Sequence, residues 1–330
     1  MGAAAMVEVW RGGRLESLHQ GHAVVCGPGG EIVHAWGDPA AVIFPRSSCK
    51  MVQALPLIES GAAAAAGFTD KQLALACSSH AGAAIHTGMV TGWLDGLGLG
   101  EADLRCGSHW PEDAPARDAL IKTDRAPCQI HNNCSGKHTG FLTLNRHLKG
   151  GAEYVEPSHP VQLAVRAAVD ETTCETSPGY GIDGCSAPNF VTSVAGFARA
   201  MAFFAGANPD GSLRERAAAR LTRAMAAYPE LVAGEGCCDT ELMRAMHHKV
   251  AMKAGAEGVF VAILPEKKLG VALKIIDGSG RGREAAMAGL LVKLGVLEAA
   301  HPATRRYVNA VQRNWRGLET GVVRLAPGFG

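Results

Sequence analysis

The chain has 330 residues, with 32 lysines and arginines against 31 aspartates and glutamates. A net charge of +1 lacks the basic excess of a nucleic-acid surface, and 19% charged against 47% apolar residues excludes long disordered tails. No run of about 18 apolar residues is present, so no membrane span is expected.

The start, MGAAAMVEVW, has neither a basic stretch nor a long apolar one, so it does not read as an export signal; Met6 could itself serve as a start. Ten cysteines are spread along the chain and none forms C-x-x-C, which excludes zinc ribbons and thioredoxin-type motifs. Reduced thiols and a cytoplasmic location are the expectation.

Met6–Trp10, His22–Cys26 and Glu31–Trp36 read as short strands, the last two joined by the turn Gly27-Pro28-Gly29-Gly30. Met51, Ala54, Leu55 and Ile58 fall on one helical face, and Gly61 is placed to end that helix. Further helices are predicted over 83–97, 136–147, 160–172, 190–204, 212–227 and 239–247. Gly258–Leu264 and Gly270–Ile276 read as two more strands, turned by Pro265-Glu266-Lys267-Lys268, with a helix over 284–297 behind them. The expected organisation is α/β. Residues 1–60 and 245–330 form an antiparallel sheet flanked by helices, and residues 61–244 form a mainly helical part. A pocket is expected between the two.

The first chemical candidate is Ser47-Ser48-Cys49-Lys50 at a helix start. The spacing puts Ser47 and Lys50 on one face, one turn apart. A serine hydroxyl needs a base, and a desolvated lysine amine can be one. The helix N-terminus adds partial positive charge for a developing alkoxide. The same four residues also read as an N-cap serine followed by a surface lysine. The second candidate is Lys253-Ala254-Gly255 directly before a strand. It parallels the K-T-G element of S-x-x-K acyl enzymes, with Ala in place of the hydroxyl residue.

Cys77-Ser78-Ser79-His80-Ala81-Gly82 suits a tight turn near a ligand, and offers Ser79 with Lys253 as a second Ser–Lys couple. A Ser-His-Asp triad through His80 is disfavoured, since no G-x-S-x-G elbow is present. The segment His131–Gly140 carries Cys134 and Lys137 on one side of a helix start; a phosphate loop would need Gly where His131 stands. Cys134 with Cys185 could hold a soft metal, or both could be packed thiols. Cys237-Cys238 precedes Asp239, which reads as the cap of the next helix.

FPRSSCK (44–50), CSSHAG (77–82), HNNCSGKHTGF (131–141), GYGIDGCSAPNF (179–190) and KAGAEGVF (253–260) together resemble the Rhizobium etli-type L-asparaginases. The similarity runs from about residue 6 to 325. It implies a fold similar to serine β-lactamases and penicillin-binding proteins, a homodimer, and hydrolysis of L-asparagine to L-aspartate and ammonia. It implies two Ser–Lys tandems, Ser47 with Lys50 and Ser79 with Lys253. It also implies zinc bound by Cys134, Lys137 and Cys185, aiding substrate binding, with Asp183 beside the metal. Arg46 and His80 are expected to contact the substrate carboxylate or to support the site. Two other readings stand beside this one. The first is β-lactam or D-Ala peptide chemistry, and the second is a non-catalytic zinc- or amino-acid-binding protein.

Overall fold

The computed structural model describes residues 2–329. Its strands are β1 (Ala4–Arg11), β2 (Arg14–Cys26), β3 (Ile32–Trp36), β4 (Val42–Ile43), β5 (Tyr180–Ile182), β6 (Pro188–Phe190), β7 (Thr192–Ser193), β8 (Ala251–Ala254), β9 (Val259–Leu264), β10 (Leu269–Ile275), β11 (Ala310–Arg313) and β12 (Glu319–Leu325). Its helices are α1 (Lys50–Glu59), α2 (Ala62–Ala65), α3 (Asp70–Ala76), α4 (Ala84–Gly96), α5 (Ala114–Lys122), α6 (Ser135–Leu148), α7 (Pro160–Thr173), α8 (Val194–Gly206), α9 (Leu213–Ala227), α10 (Pro229–Val232), α11 (Cys238–Ala245), α12 (Gly280–Lys293) and α13 (Pro302–Arg305).

The main sheet has the order β11-β12-β1-β2-β10-β9-β8, with β3 paired to β2. Every pairing is antiparallel. Its strands come from both ends of the sequence and join where Val24 faces Ala272. Two small ladders, β4–β7 and β5–β6, lie apart from it.

Helices cover both faces of the sheet. A Cβ on Gly270 would lie 2.0 Å from Ala202 N and 2.4 Å from Ala198 O, so the α8 backbone crosses β10 on that face. A Cβ on Gly282 of α12 would lie 3.3 Å from Ile275 Cγ2. Residues 270 and 275 have opposite parity on β10, so α12 covers the other face. Burial on two faces explains why β9, VFVAIL, is apolar throughout and wholly buried. This is the α/β architecture expected, an antiparallel sheet flanked by helices.

Several elements differ from the expectation. Strand β2 starts at Arg14, because its first half is mostly exposed and carries no apolar run. Strands β11 and β12 have few buried positions and so no alternation to detect. Residues 188–193 form β6 and β7, so α8 begins at Val194, where Ser193 Oγ accepts from Gly196 N.

Candidate active site

Ser47 lies in a 3-10 turn, Arg46–Cys49, that runs straight into α1 at Lys50. In a 3-10 turn residues i and i+3 eclipse, which keeps Ser47 and Lys50 on one side. The turn opens with strain: Arg46 has φ 53°, a left-handed conformation unfavourable for a side chain of its size. Buried Asn189 of β6 clamps this residue, accepting from Arg46 N at 3.0 Å and donating to Arg46 O at 3.4 Å. Gly255, just past β8, packs against the same turn. A Cβ there would lie 3.0 Å from both Pro45 O and Ser48 N.

Lys50 is 1% exposed. Its amine donates to Ser79 Oγ at 2.9 Å, to Cys134 Sγ at 3.1 Å and to Ser78 O. The hydroxyl that Lys50 holds is therefore Ser79, and no hydrogen bond joins it to Ser47 or joins Ser79 to Lys253 among the described residues. A neutral amine must accept one of these contacts. The Ser78 carbonyl cannot donate, and the one hydrogen of the Cys134 thiol has Asn133 Oδ1, 3.2 Å away, and the Cys185 sulfur to go to. The Ser79 hydroxyl is then the group able to pass a proton to Lys50.

The Ser79 turn is held by its backbone. Ser79 N donates to Val232 O at 2.9 Å, His80 N to Asn133 O at 3.1 Å and Ala81 N to Ala233 O at 2.8 Å. Gly82 has φ +77° and packs against Pro111 and His131, which fits only glycine comfortably. His80 is 1% exposed and both ring nitrogens are engaged: Nδ1 accepts from Gly82 N at 3.1 Å, and Nε2 meets Ser135 Oγ at 2.8 Å. Burial and the stacked His86 ring hold its pKa well below the usual histidine value. A neutral, fully bonded His80 supports the turn and has no free nitrogen for a substrate carboxylate.

Lys253 lies on β8 rather than in a loop before a strand, and is 1% exposed. Its amine donates to Ala254 O at 2.6 Å and faces Asp239 Oδ2 at 3.9 Å. Burial lowers its pKa to about 8, against the opposing pull of Asp239. Asp239 does not cap α11. Cys237 occupies the N-cap position, and the Asp239 carboxylate turns away to accept from Ala254 N at 2.8 Å.

Ser47, Ser79, Asn133, Asp239, Lys253 and Arg283 line one cavity of about 420 Å³. Both parts of the chain contribute, Ser79 and Asn133 from the helical middle and Ser47 and Lys253 from the ends. Among the described residues, the backbone N–H groups of Ser47 and Ala256, which also line it, have no partner. They are available to an oxyanion, whereas Ser79 N is already taken by Val232.

Cys134, Lys137 and Cys185 come together behind Lys50, all buried. Lys137 Nζ lies 3.0 Å from Cys185 Sγ, and Cys134 hydrogen-bonds to Cys185. That bond and the Lys137 charge hold Cys185 well below the usual thiol pKa. The same bond, with burial, pushes Cys134 up to about 12. Burial pulls Lys137 down, but Cys185 and Cys134 outweigh it and raise its pKa. Two sulfurs and an amine converge in one buried spot; the sulfurs are donors that zinc takes, and the amine becomes one only when deprotonated. No cluster of three His, Cys, Asp or Glu side chains suited to a metal occurs among the described residues, so a site here needs the lysine.

Arg46 and Asp183 pair at 2.9 Å, and the guanidinium helps to keep the Asp183 carboxyl low despite burial. They line a second cavity with Asn189 and Glu257, beside the first. Cys237 and Cys238 line the serine cavity, and burial raises both thiols. Asp239 and Asn189 carry no local motif that would have revealed them, since each acts on a residue of a distant element.

No helix of the described residues is long and apolar enough to cross a membrane. No curated protein matches the sequence significantly. Among solved structures, Mglu in its native form aligns over 89% of this chain and 69% of that chain, at 13% identity and TM-score 0.48. A β-lactamase from Mycobacterium bovis aligns over 84% of this chain and 95% of that chain, at 12% identity and TM-score 0.44. Both scores are low, and the fold above rests on its own strand order. The sequence profile of L-asparaginase II matches residues 7–325, nearly the whole chain, and the chain belongs to that family.

Proposed function

We propose that the protein hydrolyses L-asparagine to L-aspartate and ammonia through a serine acyl-enzyme, as an asparaginase of the Rhizobium etli type. The observation that carries this reading is the Lys50–Ser79 hydrogen bond of 2.9 Å beside a cavity that Ser47 and Lys253 also line. Ser47 is the nucleophile. Its hydroxyl is bound to no other group among the described residues, and it begins the turn that delivers Lys50. Ser79, joined to Lys50, takes the Ser47 proton and hands its own to Lys50 as the Ser47 oxygen attacks the side-chain amide carbon. The N–H groups of Ser47 and Ala256 meet the oxyanion. The proton then passes through Ser79 to the leaving nitrogen. Ammonia departs and a β-aspartyl ester remains on Ser47. Lys253, in its neutral form, accepts a proton from the water that attacks the ester, and a proton returns to the Ser47 oxygen as aspartate leaves, restoring the serine hydroxyl and the neutral amine.

Cys134, Lys137 and Cys185 would hold zinc, which when bound supplies a Lewis-acidic cation that aids substrate binding. Coordination needs two thiolates and a neutral amine, so binding releases protons and weakens at low pH. Arg46 and Asp183 support the substrate end of the site, and His80 supports the Ser79 turn. The protein acts as a cytoplasmic homodimer on a small-molecule substrate.

Ammonia release from asparagine and glutamine, beside a ring-opening assay on a β-lactam, tests the reading. Turnover of asparagine is expected, with little of glutamine and none of the lactam. Turnover of the lactam alone overturns it. Tight asparagine binding with bound zinc and no ammonia would instead make the chain a binding protein.

A further inference from the structure

Lys253 is a buried amine with little compensation. The charged and titratable groups around it are Asp239 from the start of α11, Lys50 from α1, Arg283 from α12 and Cys134 from the turn before α6. Arg283 is cationic, and Lys50 becomes so once it has taken a proton; both then disfavour a second ammonium. Cys77 at the end of α3 and Cys237 before α11 also lie near it, and none of these three thiols hydrogen-bonds to the amine among the described residues. Asp239 is thus the carboxylate that faces the amine, at 3.9 Å, with both side chains almost wholly buried.

The contact has a second half. The Ala254 backbone is gripped at both of its polar groups, in the peptides on either side of its Cα: the N–H donates to Asp239 Oδ2 at 2.8 Å, and the carbonyl accepts from Lys253 Nζ at 2.6 Å. The carboxylate, the Ala254 backbone and the amine form one clamp. It fixes the lysine rotamer at the end of β8, where Gly255 brings the strand against the Ser47 turn. A helix first-turn acid is ordinary on a surface, where it meets the helix dipole and water. Asp239 is 4% exposed and is spent on another element.

We propose that Asp239 is a positioning residue for Lys253, fixing the amine through the shared Ala254 backbone and setting the pH at which that amine exchanges its proton. This rests on the proposed role of Lys253, and it names the group that controls it. Asp239→Asn keeps the size and an acceptor for Ala254 N, and removes only the charge. Arg283, and Lys50 whenever it holds a proton, then face Lys253 without a counter-charge, and its titration moves down by about 1–3 pH units. The direction is the same whether the neutral or the protonated amine is the working form.

The test is made on the full-length protein with two readouts. One is the NMR titration of ¹³C-labelled lysine side chains, with Lys253 identified by its loss in Lys253→Arg. The other is the pH profile of kcat/KM for asparagine. Both midpoints are expected to move down together in Asp239→Asn, while Asp239→Glu retains a midpoint near that of the parent. An unmoved Lys253 resonance midpoint in Asp239→Asn overturns the inference, however low kcat falls. A resonance that moves while the rate profile stays fixed leaves the coupling intact and refutes the catalytic use of Lys253. Should Asp239→Asn fail to fold, Asp239→Glu decides alone. A longer carboxylate cannot keep both distances, so an unchanged midpoint with kcat also unchanged would overturn the positioning role.

Discussion

Replacing Gly255 with alanine tests whether strand β8 and the Ser47 turn are held in register by close contact. The added Cβ would lie 3.0 Å from Pro45 O, 3.0 Å from Ser48 N and 3.3 Å from Ser48 Oγ. Two of these are backbone atoms and cannot swing aside. Relief requires the strand end and the turn to separate by a few tenths of an ångström. Overpacking of this kind costs about 1–3 kcal/mol. In a chain of 330 residues that is a fall in melting temperature of roughly 2–5 °C. The same separation moves Lys253 and the Ala256 N–H away from Ser47, and a fall in kcat of about tenfold is expected, with KM less affected. Gly88→Ala is the control, because Gly88 sits exposed inside α4 with nothing within 4 Å of its would-be Cβ. It should gain about 0.5–1 kcal/mol and keep full activity. Calorimetry and ammonia release measure both. Parental melting temperature and kcat in Gly255→Ala would refute the close-contact reasoning.

Ser47→Ala should abolish turnover and leave the circular dichroism spectrum and melting temperature unchanged; a substantial residual rate would move the nucleophile to Ser79. Cys134→Ala should lose zinc by elemental measurement and raise KM for asparagine, and full metal occupancy in that variant would refute the ligand set. Acid should destabilise the fold. His80 is buried neutral with its pKa well below the usual value, so its contribution is intact above about pH 6.5 and is lost as pH falls from there, at about 1.4 kcal/mol per pH unit. Urea midpoints between pH 7 and 5 should therefore fall less steeply in His80→Gln than in the parent, and identical slopes would remove the cause assigned here.

Apolar runs made the buried centre of this molecule legible. The β9 and β10 strands, α1, α4, α6, α7 and α9 all lie within a few residues of where periodicity places them, because their sequences must satisfy burial. The polar outer strands β11 and β12 were not legible, since a half-exposed edge imposes no pattern. Strand β8 was hidden by its own function: a lysine in a four-residue stretch reads as loop until its burial is seen. The site shows the same division. Motif spacing brought Ser47, Lys50, Ser79 and Lys253 into view; Ser47, Ser79 and Lys253 line one cavity, and buried Lys50 reaches it through its bond to Ser79. Spacing could not say which serine Lys50 touches. That depends on where the Cys77–Gly82 turn is pinned, by Val232, Ala233 and Asn133, none of which is near it in sequence. Asp239 and Asn189 were invisible for the same reason. His80 looked chemical in sequence and is structural in space, because Gly82 and Ser135 occupy both of its nitrogens.

Trapping the covalent intermediate tests the central claim most directly. The protein is mixed with L-asparagine, quenched in acid within the first turnover, and mapped by peptide mass spectrometry. The account predicts one aspartyl group in ester linkage on Ser47, absent in Ser47→Ala. An aspartyl group on Ser79, or turnover of asparagine with no serine adduct under any quench, would contradict it.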